Sequence, residues 1–284
     1  MLEINKIHQG DCLELLKEVE DNSIDCIFND PWYYPENQRT RNAFEDDTFW
    51  KITESWLVEC KRVLKDSGHM FVSFSSQKMA KFEMLLAKLN FPLQSRIVWH
   101  YRNAGGRCAD KSRWGKTYEM IYHLSFGARL NFPEKWGDER FDVWTIAIPQ
   151  SNFKDKKIHE FQKPLDLLKR IINIGSHEGD LVLDCFMGSG TTAVVSKELK
   201  RNFLGFELLK ENIDMANKRL SQQILSNSIV PPSNSPTASS HSFGEHNMGD
   251  KVSATPTPKE ATLPSHHPNI IGNFKNPLVS REQL

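Results

Sequence analysis

Between Leu181 and Glu207 an apolar, β-prone run (Leu181–Asp184) meets a glycine-containing turn, a helix-forming stretch (Thr191–Leu199) and a second apolar run (Phe203–Glu207). A strand that turns into a helix and is followed at once by another strand packs most readily as a crossover unit. The helix then covers one face of a sheet and the strands lie parallel. The alternation recurs upstream. Ile24–Phe28 reads as a buried strand, Thr48–Lys65 as a helix stopped by Gly68, and His69–Phe74 as the next strand. Gln77–Leu89 reads as a helix, Gln94–Tyr101 and Tyr118–Ser125 as strands, Pro164–Gly175 as a helix with proline in its first turn, and Leu209–Leu220 as the closing helix. This order predicts an α/β class with a doubly wound, largely parallel sheet.

Composition divides the chain. All 7 Trp, all 5 Tyr and all 5 Cys lie before residue 186, whereas Ser226–His267 is rich in Ser, Pro, Thr, Asn and His. Such a stretch cannot bury enough surface to offset the entropy of ordering. Residues 1–221 are therefore expected to form one domain and residues 222–284 a disordered tail, whose more apolar end, Asn269–Val279, reads as a loose terminus. The 36 Lys and Arg balance the 36 Asp and Glu, so the overall field points to no polyanion. Cys12, Cys26, Cys60, Cys108 and Cys185 show no CxxC spacing and fit reduced thiols of a cytoplasmic protein, with no metal site. No leader peptide and no membrane span is expected, because no apolar run approaches 18 residues.

Two strand-end segments carry chemistry. In Asp184-Cys-Phe-Met-Gly-Ser-Gly-Thr191 the glycines let the backbone approach a ligand, and the helix that follows presents free N–H groups. Glu207, 17 residues after Gly190 at the end of the next strand, stands where a carboxylate accepts ribose hydroxyls. The GxGxxG spacing is absent, since Ala193 takes the third position, and so is the Gly-Lys-Ser/Thr of a phosphate loop. On spacing alone, a ligand-free strand-to-helix turn stays open. The second segment, Asn29-Asp-Pro-Trp-Tyr33, gathers a carboxylate, a proline carbonyl and aromatic rings. Alone, it also fits an ordinary aromatic turn.

Together these segments resemble the amino DNA methyltransferases. Asp184-x-Phe186-x-Gly188-x-Gly190 resembles that family's S-adenosylmethionine motif, and Gln162-Lys163-Pro164 before a helix resembles the segment lining its cofactor pocket. Ile7–Cys12 resembles its amino-terminal Gly-Asp segment, and Asn29–Tyr33 its (Asp/Asn/Ser)-Pro-Pro-(Tyr/Phe/Trp) catalytic motif. Catalytic motif first, basic region next and cofactor motif last is the order of the β group. The likeness covers about residues 4–221. It implies a Rossmann-like methyltransferase fold with circularly permuted motif order, which a doubly wound sheet tolerates because its termini lie close together. It implies S-adenosylmethionine as cofactor, held by Asp11, Cys12, Gln162, Lys163, Pro164, Asp184, Phe186, Gly188, Gly190, Thr191 and Glu207, and a catalytic turn of Asp30, Pro31, Trp32 and Tyr33.

The chemistry suits those residues. An exocyclic amino group on adenine or cytosine is a poor nucleophile because its lone pair is delocalised into the ring. A site that methylates it must hold both N–H bonds so that nitrogen can pyramidalise as it attacks. Asp30 and the Pro31 carbonyl supply two acceptors, and Tyr33 supplies a face for a base flipped out of the duplex. Trp32 stands where the family has its second proline; in a shifted register Trp32 would stack instead. In the family Asp at the first position goes with N6-adenine and Ser with N4-cytosine, so Asp30 favours adenine, with N4-cytosine as the alternative.

Arg102, Arg107, Lys111, Arg113 and Lys116, interleaved with Trp99, Tyr101 and Trp114, form the candidate DNA-reading segment, joined by Arg39 and Arg41 beside the catalytic turn. His100, His123 and His159 show no ligand spacing and read as structural or exposed. The implied partners are double-stranded DNA, a second copy of the chain and a cognate restriction endonuclease. Two other readings remain open: a non-catalytic DNA-binding partner of the same fold, and a methyltransferase acting on RNA or another amino-bearing substrate.

Overall fold

The computed structural model describes residues 2–31, 47–103, 114–132, 140–150, 157–159 and 161–228. Strands β1 (Lys6–Gln9), β2 (Ile24–Asn29), β3 (Leu64–Phe74), β4 (Leu93–His100), β5 (Tyr118–Leu124), β6 (Val143–Thr145), β7 (Leu181–Asp184) and β8 (Asn202–Glu207) form one sheet, in the order β1-β8-β7-β2-β3-β5-β4-β6. Neighbours run parallel except β5, which is antiparallel to both β3 and β4. The sheet is thus largely parallel, as the alternation predicts.

Helices α1 (Cys12–Leu16), α2 (Asp47–Val63) and α3 (Met79–Lys88) supply one face; α4 (Leu165–Gly175), α5 (Thr191–Glu198) and α6 (Lys210–Ser228) supply the other. Side chains alternate along β2 to serve both layers. Ile27 joins Trp56, Leu57 and Leu86, while Cys26 and Phe28 join Leu167, Leu168, Ile171 and Ile172 of α4. Both faces are covered, which is why the strand reads as an unbroken apolar run. Each fully buried Leu or Ile of α4 contributes roughly 1.5–3 kcal/mol of transfer free energy.

The position of β2 sets the site. It pairs with β7 on one side, Cys26 opposite Val182 and Ile27 opposite Leu183, and with β3 on the other. The chain segments after β2 and β7 therefore leave the same edge of the sheet side by side, although 150 residues of sequence separate Pro31 from Leu181. Ligands of open α/β sheets bind at that carboxyl edge.

Several boundaries differ from expectation. Helix α2 ends at Val63 rather than Lys65, because Leu64 already pairs with Ile24 at the start of β3. Gly68 lies within β3 and terminates no helix; a Cβ there would stand 2.9 Å from the Asp25 carbonyl. Strands β1 and β6 and helix α1 were not anticipated, being only three to five residues long. Helix α6 continues to Ser228, past the expected boundary at 221, and the expected disordered tail beyond it lies outside the described residues. Among the described residues no helix is long and apolar enough to cross a membrane.

Candidate active site

At the end of β2 the fully buried Asn29 ties the two edge loops together. Its Oδ1 accepts a hydrogen bond from the Cys185 N–H at 3.0 Å, and its amide donates to Cys60 Sγ at 3.4 Å. Asp30 follows. Its Oδ2 lies 2.5 Å from Lys163 Nζ, whereas Oδ1 is buried and has no hydrogen-bond partner among the described residues. An unpartnered buried acceptor costs free energy, so it marks a place where a donor is meant to arrive. Pro31, next in the chain, is buried.

Lys163 pairs with two acids: Asp30 as above, and Glu119, whose Oε2 lies 3.4 Å from the ammonium. Glu119 in turn receives the Ser73 hydroxyl at 3.5 Å. Burial works against the Lys163 charge, but Asp30 and Glu119 outweigh it and hold the ammonium above its ordinary range. Burial raises Asp30 above the usual carboxylate value; Lys163 opposes that rise and Glu119 adds to it. Burial pushes Glu119 the same way, yet the lysines at 163 and 116 bring it below its ordinary value.

The glycine loop is built next door. Asp184, 3% exposed, accepts the Phe186 N–H at 2.9 Å and the Thr192 hydroxyl at 2.5 Å. Burial pushes its carboxyl up to about 7, with these two hydrogen bonds opposing. Gly190 opens α5 with φ +80°, and a Cβ there would come 2.5 Å from the Ala216 Cβ of α6. No other residue fits both the left-handed backbone and that approach. Arg219 of α6 braces the loop through the Ser189 carbonyl (2.8 Å) and the Thr191 hydroxyl (3.1 Å). Glu207 accepts the Gly188 N–H at 2.8 Å and the Leu209 N–H at 2.9 Å. Each carboxylate oxygen keeps a second acceptor site, and Glu207 is only half-buried. Asp11 caps α1 through the Leu13 N–H at 2.8 Å, and β1 runs beside β8 with Gln9 opposite Glu207. Cys12 is partly buried, and burial pushes its thiol up to about 12.

Gln162–Pro164 joins the halves. Buried Gln162 accepts the Ile158 N–H at 3.0 Å, the Lys163 carbonyl receives the Thr191 hydroxyl at 3.3 Å, and Pro164 precedes the first residue of α4. Lys163 is expected to line the cofactor pocket; its carbonyl meets the glycine turn through Thr191, and its ammonium rests on Asp30. Phe186, partly buried, meets Trp56 edge-on at 5.7 Å. A glycine-lined turn, a half-open carboxylate at the end of β8 and exposed Asp11 beside it together fit a nucleoside-bearing cofactor.

Sequence reasoning passed over Glu119, Ser73 and the bridging role of Asn29. The signal for Glu119 was its isolation: it is the one acid in the apolar run Tyr118–Leu124. Of the DNA-reading candidates, Arg102 and Lys116 are exposed, as is Trp114. Trp99 and Tyr101 are core residues, 2% and 3% exposed, and are not free to meet bases. Trp32, Tyr33, Arg39, Arg41, Arg107, Lys111 and Arg113 lie outside the described residues.

The family model described as DNA methylase matches residues 24–218. The type II methyltransferase M.HinfI of Haemophilus influenzae is 32% identical over 257 residues, covering 77% of this chain and 69% of its own. DNA adenine methyltransferase YhdJ of Escherichia coli is 32% identical over 247 residues, 77% of this chain and 83% of its own. Among solved structures, the M1.HpyAVI–SAM complex superposes with TM-score 0.61 at 26% identity, over 76% of this chain and 98% of that one. The cytosine-N4-specific PvuII DNA methyltransferase, at TM-score 0.65 and 18% identity over 81% of this chain and 87% of that one, shares the fold.

Proposed function

The chain belongs to the DNA methylase family, and from that membership we propose that it transfers a methyl group from S-adenosylmethionine to the exocyclic N6 amino group of adenine in DNA. The observation that carries the reading is Asp30: one carboxylate oxygen is held by Lys163 and the other is buried at the carboxyl edge of the sheet without a hydrogen-bond partner among the described residues. Adenine is favoured by the Asp at the head of the motif and by a relative whose name specifies DNA adenine methylation.

The cofactor supplies an electrophilic methyl group on a sulfonium. The chain's work is to hold and orient. Asp30 Oδ1 accepts one amino hydrogen and the Pro31 carbonyl the other, which draws the nitrogen lone pair out of the ring and toward the methyl group. Lys163 on Oδ2 fixes the carboxylate and favours its charged form against the effect of burial. Tyr33, or Trp32 in the shifted register, stacks on the flipped base. Asp184, Arg219 and Ala216 hold the glycine turn rigid, while Glu207 and Asp11 face the nucleoside end.

DNA is held by Arg102 and Lys116 together with Arg39, Arg41, Arg107, Lys111 and Arg113. A second copy of the chain completes the grip on the duplex, and the setting is the cytoplasm. The type II names of relatives support a cognate endonuclease.

Asp30→Ala tests the assignment. Methyl transfer to DNA should fall by about 10³-fold or more, while cofactor affinity, measured by calorimetry, stays unchanged. A variant that still methylates at the wild-type rate removes Asp30 from the reaction.

A further inference from the structure

Glu119 has no role in the chemistry described so far, and its position is costly. It sits in an otherwise apolar or aromatic run, with its side chain 24% exposed and close to Lys163 and Ser73. A carboxylate turned inward from a strand must be compensated by partners. The antiparallel direction of β5 explains how it gets there: this strand brings its first residues, not its last, to the carboxyl edge where Asp30 lies. Two carboxylates, 19% and 24% exposed, then share one cation, the 12% exposed Lys163, with Nζ at 2.5 Å from Asp30 and 3.4 Å from Glu119.

We propose that Glu119 is a positioning residue for methyl transfer: it takes up part of the Lys163 ammonium, which confines that cation to Oδ2 of Asp30 and leaves Oδ1 open for the amino hydrogen. An ammonium has three N–H donors. With Glu119 neutralised, Asp30 is the one anion among the described residues left in contact with Lys163, and the cation closes over both of its oxygens. The substrate then loses its acceptor. The inference rests on the reading that Asp30 Oδ1 receives the substrate amino group.

Three further described groups lie near this cluster. Asp184 approaches from β7, the Ser73 hydroxyl from β3, and Lys116 stands 3.9 Å beyond Glu119. Neutralising Glu119 removes a neighbouring negative charge and commits Lys163 wholly to Asp30, so the carboxyl must titrate at lower pH. Neutralising Lys163 must move it to higher pH.

The test uses the full chain with Glu119→Gln, Glu119→Asp and Lys163→Gln. Asp30 is followed by NMR of carboxyl-¹³C aspartate, assigned with Asp30→Asn, and methyl transfer is followed in single turnovers. In Glu119→Gln the Asp30 midpoint should fall and the transfer rate should drop about 10–100-fold, with cofactor affinity unchanged. Glu119→Asp should recover much of the rate, and Lys163→Gln should raise the midpoint. If Glu119→Gln does not fold, the other two variants carry the same comparison. An Asp30 midpoint indifferent to Glu119→Gln, a Glu119→Gln rate equal to wild type, a Glu119→Asp rate that recovers nothing, or a midpoint that does not rise in Lys163→Gln overturns the proposal. A wild-type chain that transfers no methyl group while the midpoints move as described overturns the functional reading and the role built on it, but leaves the shared ammonium standing.

Discussion

Asp30 and Glu207 are both acids at strand ends, and their surroundings divide the work between them. Asp30 is enclosed, with a cation on one oxygen and, among the described residues, no hydrogen-bond partner on the other. Glu207 is half-open and spends one lone pair of each oxygen on a backbone N–H, which fixes its plane and leaves the outer lone pairs free. Glu207→Gln replaces one acceptor oxygen with a donor that must face an N–H, and it removes the charge. Hydrogen bonds to charged groups are worth about 1.5–3 kcal/mol, so cofactor affinity should fall roughly 10–100-fold by calorimetry. Unchanged affinity would remove Glu207 from the ribose site. Both acids were legible in the sequence, because each follows an apolar run and each lies at a fixed distance from a glycine or proline turn. Glu119 was not. A single acid in a strand-like run has two possible faces, and only the pairing of β5 with β3 decides which face it takes.

At the scale of elements, β3 and β5 carry a second buried polar pair away from the site. His69 Nδ1 and His123 Nε2 are 3.0 Å apart, and the His123 ring stacks on Phe71 at 4.8 Å. Burial holds both imidazoles below their ordinary value, His123 down to about 3 with His69 adding to the effect. In the unfolded chain both titrate near pH 6.5. The unfolded state thus takes up protons that the native state refuses. Stability from this pair is complete above about pH 6.5 and is lost as pH falls toward the native value, at up to about 1.4 kcal/mol per pH unit for each histidine. Denaturant unfolding between pH 7 and 4 should therefore show a shallower acid-side decline for His123→Gln than for wild type; parallel curves would contradict it. The sequence reading placed His123 as structural or exposed but gave no partner, since nothing local pairs residues 54 apart. Helix ends were misread for a related reason. Gly68 looks like a stop signal, yet the helix yields five residues earlier to a strand whose pairing with β2 no local propensity reveals.

Over the whole molecule, the motif order and the fold agree through one pairing. Strand β2, early in the chain, lies next to β7, late in it, so Asp30 and a glycine turn distant in sequence meet at one edge. The alternation of strand and helix made the class legible, and motif spacing made the two loops legible. What lay beyond reach was the sharing of Lys163 across three segments, from β2, β5 and the turn before α4, because it depends on all three arriving together. Net charge is zero, so affinity for DNA must come from local Arg and Lys groups and not from the molecule's field. The most direct measurement is nucleoside mass spectrometry on DNA from a methylation-free host expressing the full chain. N6-methyladenine, absent when Asp30→Ala is expressed instead, is the predicted result. N4-methylcytosine would keep the reaction and overturn the base, and neither product from soluble, cofactor-binding protein would contradict methyl transfer to DNA altogether.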